Sequence, residues 1–377
     1  MKPRPYNFGA GPATLPESIL LDVQAELLNW QGCGMSILEV GHRTPEFISL
    51  MDQAEVDLRD LLAIPDHYQV LFLGGAARTQ FAMIPMNLIA KGNKAGYLIS
   101  GIWSKLAFEE ACHLTSAYCI ASSEQTGFTQ IPVIPAREGS HRQSGNETSL
   151  AMNIPENTAY VYYTPNETVN GVRFANPPKT GDVPLIADMT SCLLSEPLNI
   201  TDFGLIFAGT QKNISPAGLT IVIIRDDLLE QQPALPIPSM MSYRIQADNK
   251  SRYATPPVFN CYFAAKMFQW VKARGGVEAL YQINCQKAAK LYQYIDTSSF
   301  YQCRVEKPSR SLMNVCFSLE KPELESAFLS GAKAHGLYAL QGHRLVGGLR
   351  ASLYNALPMA GVEALIAFMQ QFSEEHQ

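Results

Sequence analysis

Cysteine pairs at short spacing are missing from this chain of 377 residues: its eight cysteines are scattered, and no two form C-x-x-C. That excludes the usual zinc and redox spacings and suits a reducing compartment. No apolar stretch approaches the length that spans a bilayer, and residues 1–8 (MKPRPYNF) hold no apolar signal region. The reading is a soluble, cytoplasmic protein with no membrane partner. Charge is also sparse, at 17% of residues and a net −5, with a pI near 5.8. Such a balance argues against a nucleic-acid footprint or an anionic-membrane binder. A few arginines inside a pocket would not show in that total, so a small anionic ligand stays open. Internal repeats and low-complexity tracts are absent as well. What the chain has in quantity is apolar surface, 47% of residues, enough at this length for sizeable cores and two domains.

The stretch that organises the rest is 203–224, FGLIFAGTQKNISPAGLTIVII: a short apolar strand, a polar loop, and a second strand too apolar to lie on a surface. Strands are predicted upstream at Tyr68–Leu73, Ala95–Ser100, Ala117–Ala121, Ala159–Tyr163 and Pro184–Ala187. Helical spacing is predicted at Glu17–Trp30, Pro45–Leu62, after Thr79 to Leu88, and at Ser104–Ala111. Strands alternating with helices imply βαβ units, hence an α/β fold with a mainly parallel sheet covered on both faces. Functional residues should then gather at the carboxyl ends of the strands. The divisions expected are an arm (1–15), a large domain (16–258) and a smaller α+β domain (259–377). Residues 136–150 read as a polar surface loop.

Lys212 sits in the organising loop with no acidic residue close in sequence. Desolvation beside a buried sheet would lower its pKa towards the range where an amine attacks a carbonyl, although most lysines between strands are simply solvated. Gly74–Thr79, between a strand and a helix, is either a tight turn or a phosphate cradle, and its Arg78 favours an anion. Asp188 closes an apolar strand and either caps a helix over Met189–Leu194 or pairs with a protonated ring nitrogen. Trp103 is core or a stacking face, and the loop Thr164–Gly171 is a turn or a row of hydroxyls and amides at the same edge. The basic pairs His42-Arg43 and His343-Arg344, with Arg350, lie among glycines and apolar residues rather than in charge runs. Arginine's planar fork binds carboxylate and phosphate in two-pronged fashion, so converging arginines suit a substrate with two anionic groups.

Taken in order, these pieces resemble the phosphoserine aminotransferase family, class-V aminotransferases of the aspartate-aminotransferase-like, pyridoxal-phosphate-dependent fold. The likeness runs nearly end to end, through NFGAGP (7–12), EVGHR (39–43), YTPNET (163–168), GTQKNI (209–214), TPP (255–257) and GHRLVGGLRAS (342–352). It implies a seven-stranded, mainly parallel sheet and a pyridoxal 5'-phosphate cofactor carried by Lys212, which also shuttles the substrate proton. Asp188 would pair with the pyridine nitrogen, Trp103 stack on the ring and Thr168 bond its hydroxyl. Ala77, Arg78, Gln211 and the partner subunit's Thr255 would hold the cofactor phosphate. Arg350 would take the substrate α-carboxylate. His42 and Arg43 from the partner subunit of a homodimer, with His343, Arg344 and the Arg78 side chain, would take the distal phosphate or glutamate's γ-carboxylate. The implied reaction moves an amino group between glutamate and 3-phosphohydroxypyruvate in serine biosynthesis, with 4-phosphohydroxythreonine formation (pyridoxine biosynthesis) as a second use. Ala254 and Ala10 stand where the family often has polar residues.

Rival readings are another aminotransferase of the fold acting on unphosphorylated amino acids, a cysteine desulfurase, a nucleotide-binding dehydrogenase and a silent binding protein. A desulfurase needs a mobile cysteine, whereas Cys316 sits in a predicted strand. The dehydrogenase reading lacks G-x-G-x-x-G and leaves Lys212 unexplained.

Overall fold

The computed structural model describes residues 4–135 and 152–376; the polar loop expected over 136–150 lies outside them. Strand β1 (Tyr6–Asn7) and helices α1 (Glu17–Glu26) and α2 (Pro45–Leu62) lead into β2 (Tyr68–Gly74), α3 (Gln80–Leu88) and β3 (Lys94–Ile99). Next come α4 (Ile102–Leu114), β4 (Ala117–Ser122), β5 (Thr158–Tyr163) and a small hairpin, β6 (Asn166–Glu167) with β7 (Val172–Arg173). Then follow β8 (Leu185–Asp188), β9 (Leu205–Gly209) and β10 (Leu219–Arg225).

Seven strands form one sheet in the order β2-β10-β9-β8-β5-β3-β4. Strand β10 runs antiparallel to both of its neighbours, and the other pairings are parallel. The six remaining strands therefore share one direction and end along one edge, where loops of an α/β sheet carry function. Period-two alternation explains why the strands read as unbroken apolar runs. Val70, Phe72, Ile221 and Ile223 enter one core, while Leu71, Leu73, Val222 and Ile224 enter the core on the opposite face. Tyr68 anchors the first core with a buried hydroxyl that donates to the carbonyls of Phe203 (2.7 Å) and Ile200 (3.2 Å).

After α5 (Asp226–Leu229) and α6 (Tyr243–Asp248), the long helices α7 (Val258–Ala273) and α8 (Gly276–Thr297) follow. The division expected at 258/259 falls at the start of α7, whose Cys261, Phe263 and Phe268 share the first core with the sheet. A third core gathers Leu291, Tyr301, Phe317, Phe328, Leu349 and Phe368 around an antiparallel sheet of β11 (Tyr301–Gln302), β12 (Asn314–Leu319) and, beyond α9 (Glu325–Ala334) and β13 (Leu337–Tyr338), β14 (Leu349–Ser352). Helix α10 (Met359–His376) closes the described chain. The N-terminal arm joins this end: β1 pairs in parallel with β13, and Phe8 is fully buried in the third core.

Two expectations are corrected. The first helix stops at Glu26 rather than Trp30: Asn29 leaves helical backbone, its side chain accepts from Gly34 N–H, and a separate turn at Trp30–Gly32 buries the tryptophan. Residues 189–194 form turns rather than a helix, so Asp188 is no helix cap; its Oδ1 accepts from the backbone N–H of Thr190 at 3.0 Å.

Candidate active site

Four loops leave the common sheet edge and converge. Strand β9 ends at Gly209, and the turn after it holds Lys212, only 8% exposed, whose Nζ donates to Thr168 Oγ1 at 2.6 Å. Thr168 belongs to the loop after β5. Asp188 is the last residue of β8 and is buried. Burial without an ion-pair partner pushes the Lys212 ammonium down to about 8, the nearby Asp188 carboxylate opposing and Arg350 reinforcing the shift. Burial likewise raises the Asp188 carboxyl, against its bonds from Thr190 and the charge of Lys212. An amine easily deprotonated beside a carboxylate is the arrangement a covalent carbonyl site requires.

The turn after β2, reaching past β10 to the end of β9, shapes a second feature. A Cβ on Gly209 would lie 2.5 Å from Gln211 Oε1 and 2.9 Å from the Ala77 side chain. Glycine at 209 is what lets Gln211 and the Ala77–Thr79 turn sit together at the edge. Gly11, in left-handed backbone at φ 138°, packs its Cα face against Gln211 and Lys212.

Residues 166–170 do more than supply Thr168. Glu167 is fully buried; its carboxylate accepts from Trp103 N–H (3.0 Å), Ser104 N–H (2.9 Å) and the Ser104 hydroxyl (2.6 Å). Asn170 Oδ1 accepts from Ile102 N–H at 3.1 Å. Two side chains of one loop thus cap the N-terminus of α4, satisfying donors that a helix start leaves free. Trp103, in the first turn of α4, is thereby tied to Thr168. Sequence reasoning quoted Glu167 and Asn170 without giving them a role. The one available signal was a carboxylate placed between two apolar strands, where a partner is obligatory. Burial raises Glu167 to about 7 in spite of its three donors.

Arg350, on β14, reaches the same loop: its Nη1 donates to the Thr168 carbonyl at 3.3 Å. Together with His343 it lines a cleft of about 250 Å³ whose walls include Val169, Asn170 and Cys316. His343 is held below its ordinary pKa by burial and by Arg350 and Arg344. Cys316 lies opposite Arg350 in the β12–β14 ladder, and its thiol donates to the Val169 carbonyl at 3.5 Å. Burial pushes that thiol up to about 12, which disfavours its thiolate, and its place within a paired strand is not that of the mobile cysteine a desulfurase needs.

Of the other predicted site residues, His42, Arg43, Arg78, Arg344 and Thr255 form no hydrogen bond with this cluster within one chain, although Arg344 lies near enough to act on His343. Arg43, Arg78, Arg344 and Thr255 are exposed, and His42 is half-buried with an unpartnered Nε2. His42-Arg43 precede α2, which begins with Thr44 as its cap and Pro45 in its first turn.

A pyridine ring bearing an aldehyde and a phosphate fits what the chain offers here. Lys212 is poised to lose its proton, and Asp188 is a buried carboxylate with no cation bonded to it. The indole Nε1 of Trp103 is buried without a partner, and the Gly209–Gln211–Ala77 cradle would be filled by a Cβ.

Fold and site define a class-V aminotransferase, and the family model described as Aminotransferase class-V matches residues 5–365. The chain is 60% identical, over 376 residues and the full length of both, to phosphoserine aminotransferase of Legionella pneumophila (strain Lens). It is similar to the solved phosphoserine aminotransferase of Bacillus circulans subsp. alkalophilus, at 41% identity and a TM-score of 0.92 with 99% of each chain covered. It also resembles the PLP-bound enzyme of Trichomonas vaginalis, at 37% identity and a TM-score of 0.88, covering 97% of this chain and 100% of that one. The chain belongs to the phosphoserine aminotransferase family. Among the described residues no helix is long and apolar enough to cross a membrane, and no group of three or more His, Cys, Asp or Glu side chains could hold a metal.

Proposed function

We propose that this protein transfers the amino group of L-glutamate to 3-phosphohydroxypyruvate, reversibly, giving 2-oxoglutarate and O-phospho-L-serine, with pyridoxal 5'-phosphate as cofactor. The carrying observation is the buried Lys212, its pKa lowered to about 8, bonded to Thr168 and close to Asp188. When bound, the cofactor supplies the carbonyl that accepts the amino group and a ring that draws electrons from the substrate's Cα. Lys212 Nζ holds the cofactor and afterwards moves the proton at that Cα. With the cofactor bound, Asp188 would hold the proton of the ring nitrogen, Trp103 would face the ring and Thr168 would serve its hydroxyl.

The cradle of Ala77, Arg78 and Gln211, with Thr255 of a second copy, binds the cofactor phosphate. Arg350 binds the α-carboxylate. His343, Arg344 and Arg78, joined by the partner's His42 and the partner's Arg43, bind the distal phosphate or carboxylate; a homodimer accounts for site residues that stand apart in one chain. Eight unpaired cysteines suit a reducing compartment, and we infer a cytoplasmic enzyme of serine biosynthesis that also forms 4-phosphohydroxythreonine for pyridoxine biosynthesis.

The test is a half-reaction: purified protein is mixed with O-phosphoserine and, separately, with serine, and the absorption of the bound cofactor is followed. Conversion by the phosphorylated amino acid alone supports the reading. Equal conversion by serine would make this an aminotransferase of unphosphorylated amino acids and remove the phosphate role from the basic cluster.

A further inference from the structure

Helix α8 carries a lysine in a place lysines rarely occupy. Lys287 is completely buried and pairs with no acidic group among the described residues. Its ammonium donates instead to three backbone carbonyls, those of Leu353 (2.8 Å), Tyr354 (2.9 Å) and Leu357 (3.1 Å). Burial alone pulls its pKa down to about 7, while three acceptors at these distances hold its three protons. One turn earlier on the same face, Asn284 Nδ2 donates to Asn355 Oδ1 (2.9 Å) and to the Ser195 carbonyl (3.0 Å).

The segment so gripped, 353–357, connects both halves of the site. Upstream it continues β14, which carries Arg350. On its other side the N–H of Asn355 donates to Asn213 Oδ1 (3.0 Å), the neighbour of Lys212. Asn355 Nδ2 donates to the Leu194 carbonyl (2.8 Å) in the turns after Asp188. Tyr354 OH donates to the Ala10 carbonyl (3.1 Å), next to the glycine that packs on Lys212.

We propose that Lys287, assisted by Asn284, is a positioning residue that fixes where Arg350 stands relative to Lys212 by bolting the 353–357 segment to α8. This inference rests on the transaminase reading. Lysine presents three donors from a single terminal atom, which suits three carbonyls converging on one point, and a slip of the segment moves the carboxylate-binding arginine against the amine. A misplacement of about 1 Å in such a site costs up to about a hundredfold in rate.

The test compares Lys287→Met with Leu291→Ala in the full-length, cofactor-loaded protein. Leu291 is buried one turn further along α8 in the third core, where it shares apolar packing with Leu353 and Leu357 but makes no hydrogen bond to the segment, so the pair separates loss of packing from loss of the three ammonium bonds. The readouts are Tm, kcat and KM for O-phosphoserine. Both variants lose Tm; Lys287→Met also raises KM about tenfold, while Leu291→Ala keeps the wild-type KM. Equal kcat and KM in the two variants at comparable Tm would overturn the proposal. If Lys287→Met does not fold, Asn284→Ala serves in its place under the same criterion. Failure of the wild-type protein to convert O-phosphoserine is a separate result and counts against the proposed function alone.

Discussion

Glu167 offers the most quantitative probe of how the site is built. Its carboxylate is fully buried and accepts from three donors of the first turn of α4, so its charge has good bonds and poor solvation. Burial wins: the carboxyl is raised from 4.5 to about 7. A group raised on folding adds stability that is complete below its unfolded pKa and is lost as pH climbs through its folded one. The window is therefore pH 4.5 to 7, with the native state binding more protons throughout it. At 1.36 kcal/mol per pKa unit the contribution amounts to roughly 3 kcal/mol. Glu167→Gln keeps the shape and removes the titration. Urea unfolding of the holoprotein at pH 5 and at pH 8 should show wild type losing roughly 3 kcal/mol more than the variant. Glu167→Ala separately strips Trp103 and Ser104 N–H of their acceptor, each at about 1–3 kcal/mol, and should weaken cofactor affinity because Trp103 is no longer held. Parallel pH profiles for wild type and Glu167→Gln would refute the reasoning, since the carboxylate would then carry no burial penalty.

Lys212→Met should abolish turnover. In the apoprotein it should also flatten a rise in stability with pH: the depressed lysine adds stability above its unfolded pKa of 10.5 and loses it as pH falls through about 8, worth roughly 3 kcal/mol by urea unfolding. Tyr68→Phe should cost about 1–2 kcal/mol by denaturant titration with kcat unchanged, because two buried carbonyls lose their donor far from the chemistry. Arg350→Lys keeps the charge but loses the planar fork, so KM for glutamate should rise about tenfold in steady-state assays. Mixing inactive Lys212→Ala and Arg43→Ala proteins should restore activity if the site is shared between subunits; no recovery in a verified mixed dimer would assign Arg43 elsewhere.

What the sequence made legible follows period and punctuation. Helix α2 matches its expected span because Thr44-Pro45 is a start signal, whereas the left-handed Ala63 that ends it is visible only in the structure. The sheet is read because strands buried on both faces are unbroken apolar runs that no helix of that length would share. Lys212, Thr168 and Asp188 are legible as candidates because each follows or ends such a run and the shared strand direction brings those ends together, whereas Arg350 sits within β14 of the antiparallel sheet and reaches them through the Thr168 carbonyl. The failures have a common cause. Leu27, Leu28 and Trp30 continue a helical spacing, yet Leu28 is 85% exposed and Trp30 is buried by a turn, since tertiary burial outweighs local periodicity.

Glu167 and Lys287 were passed over because their partners, mostly backbone groups, lie 63 to 70 residues away, and nothing in a one-dimensional pattern marks which distant N–H or carbonyl needs them. Burying either charge is costly unless its bonds are complete. Each of these two buried charges joins a loop bearing a proposed site residue to a helix: Glu167 the Thr168 loop to α4, Lys287 the chain beyond Arg350 to α8. The chemistry is thus written at strand ends where a reader can look for it. The rigidity that keeps those ends in register is carried by buried charges whose sequence neighbours hint at most that a partner is needed, never which one.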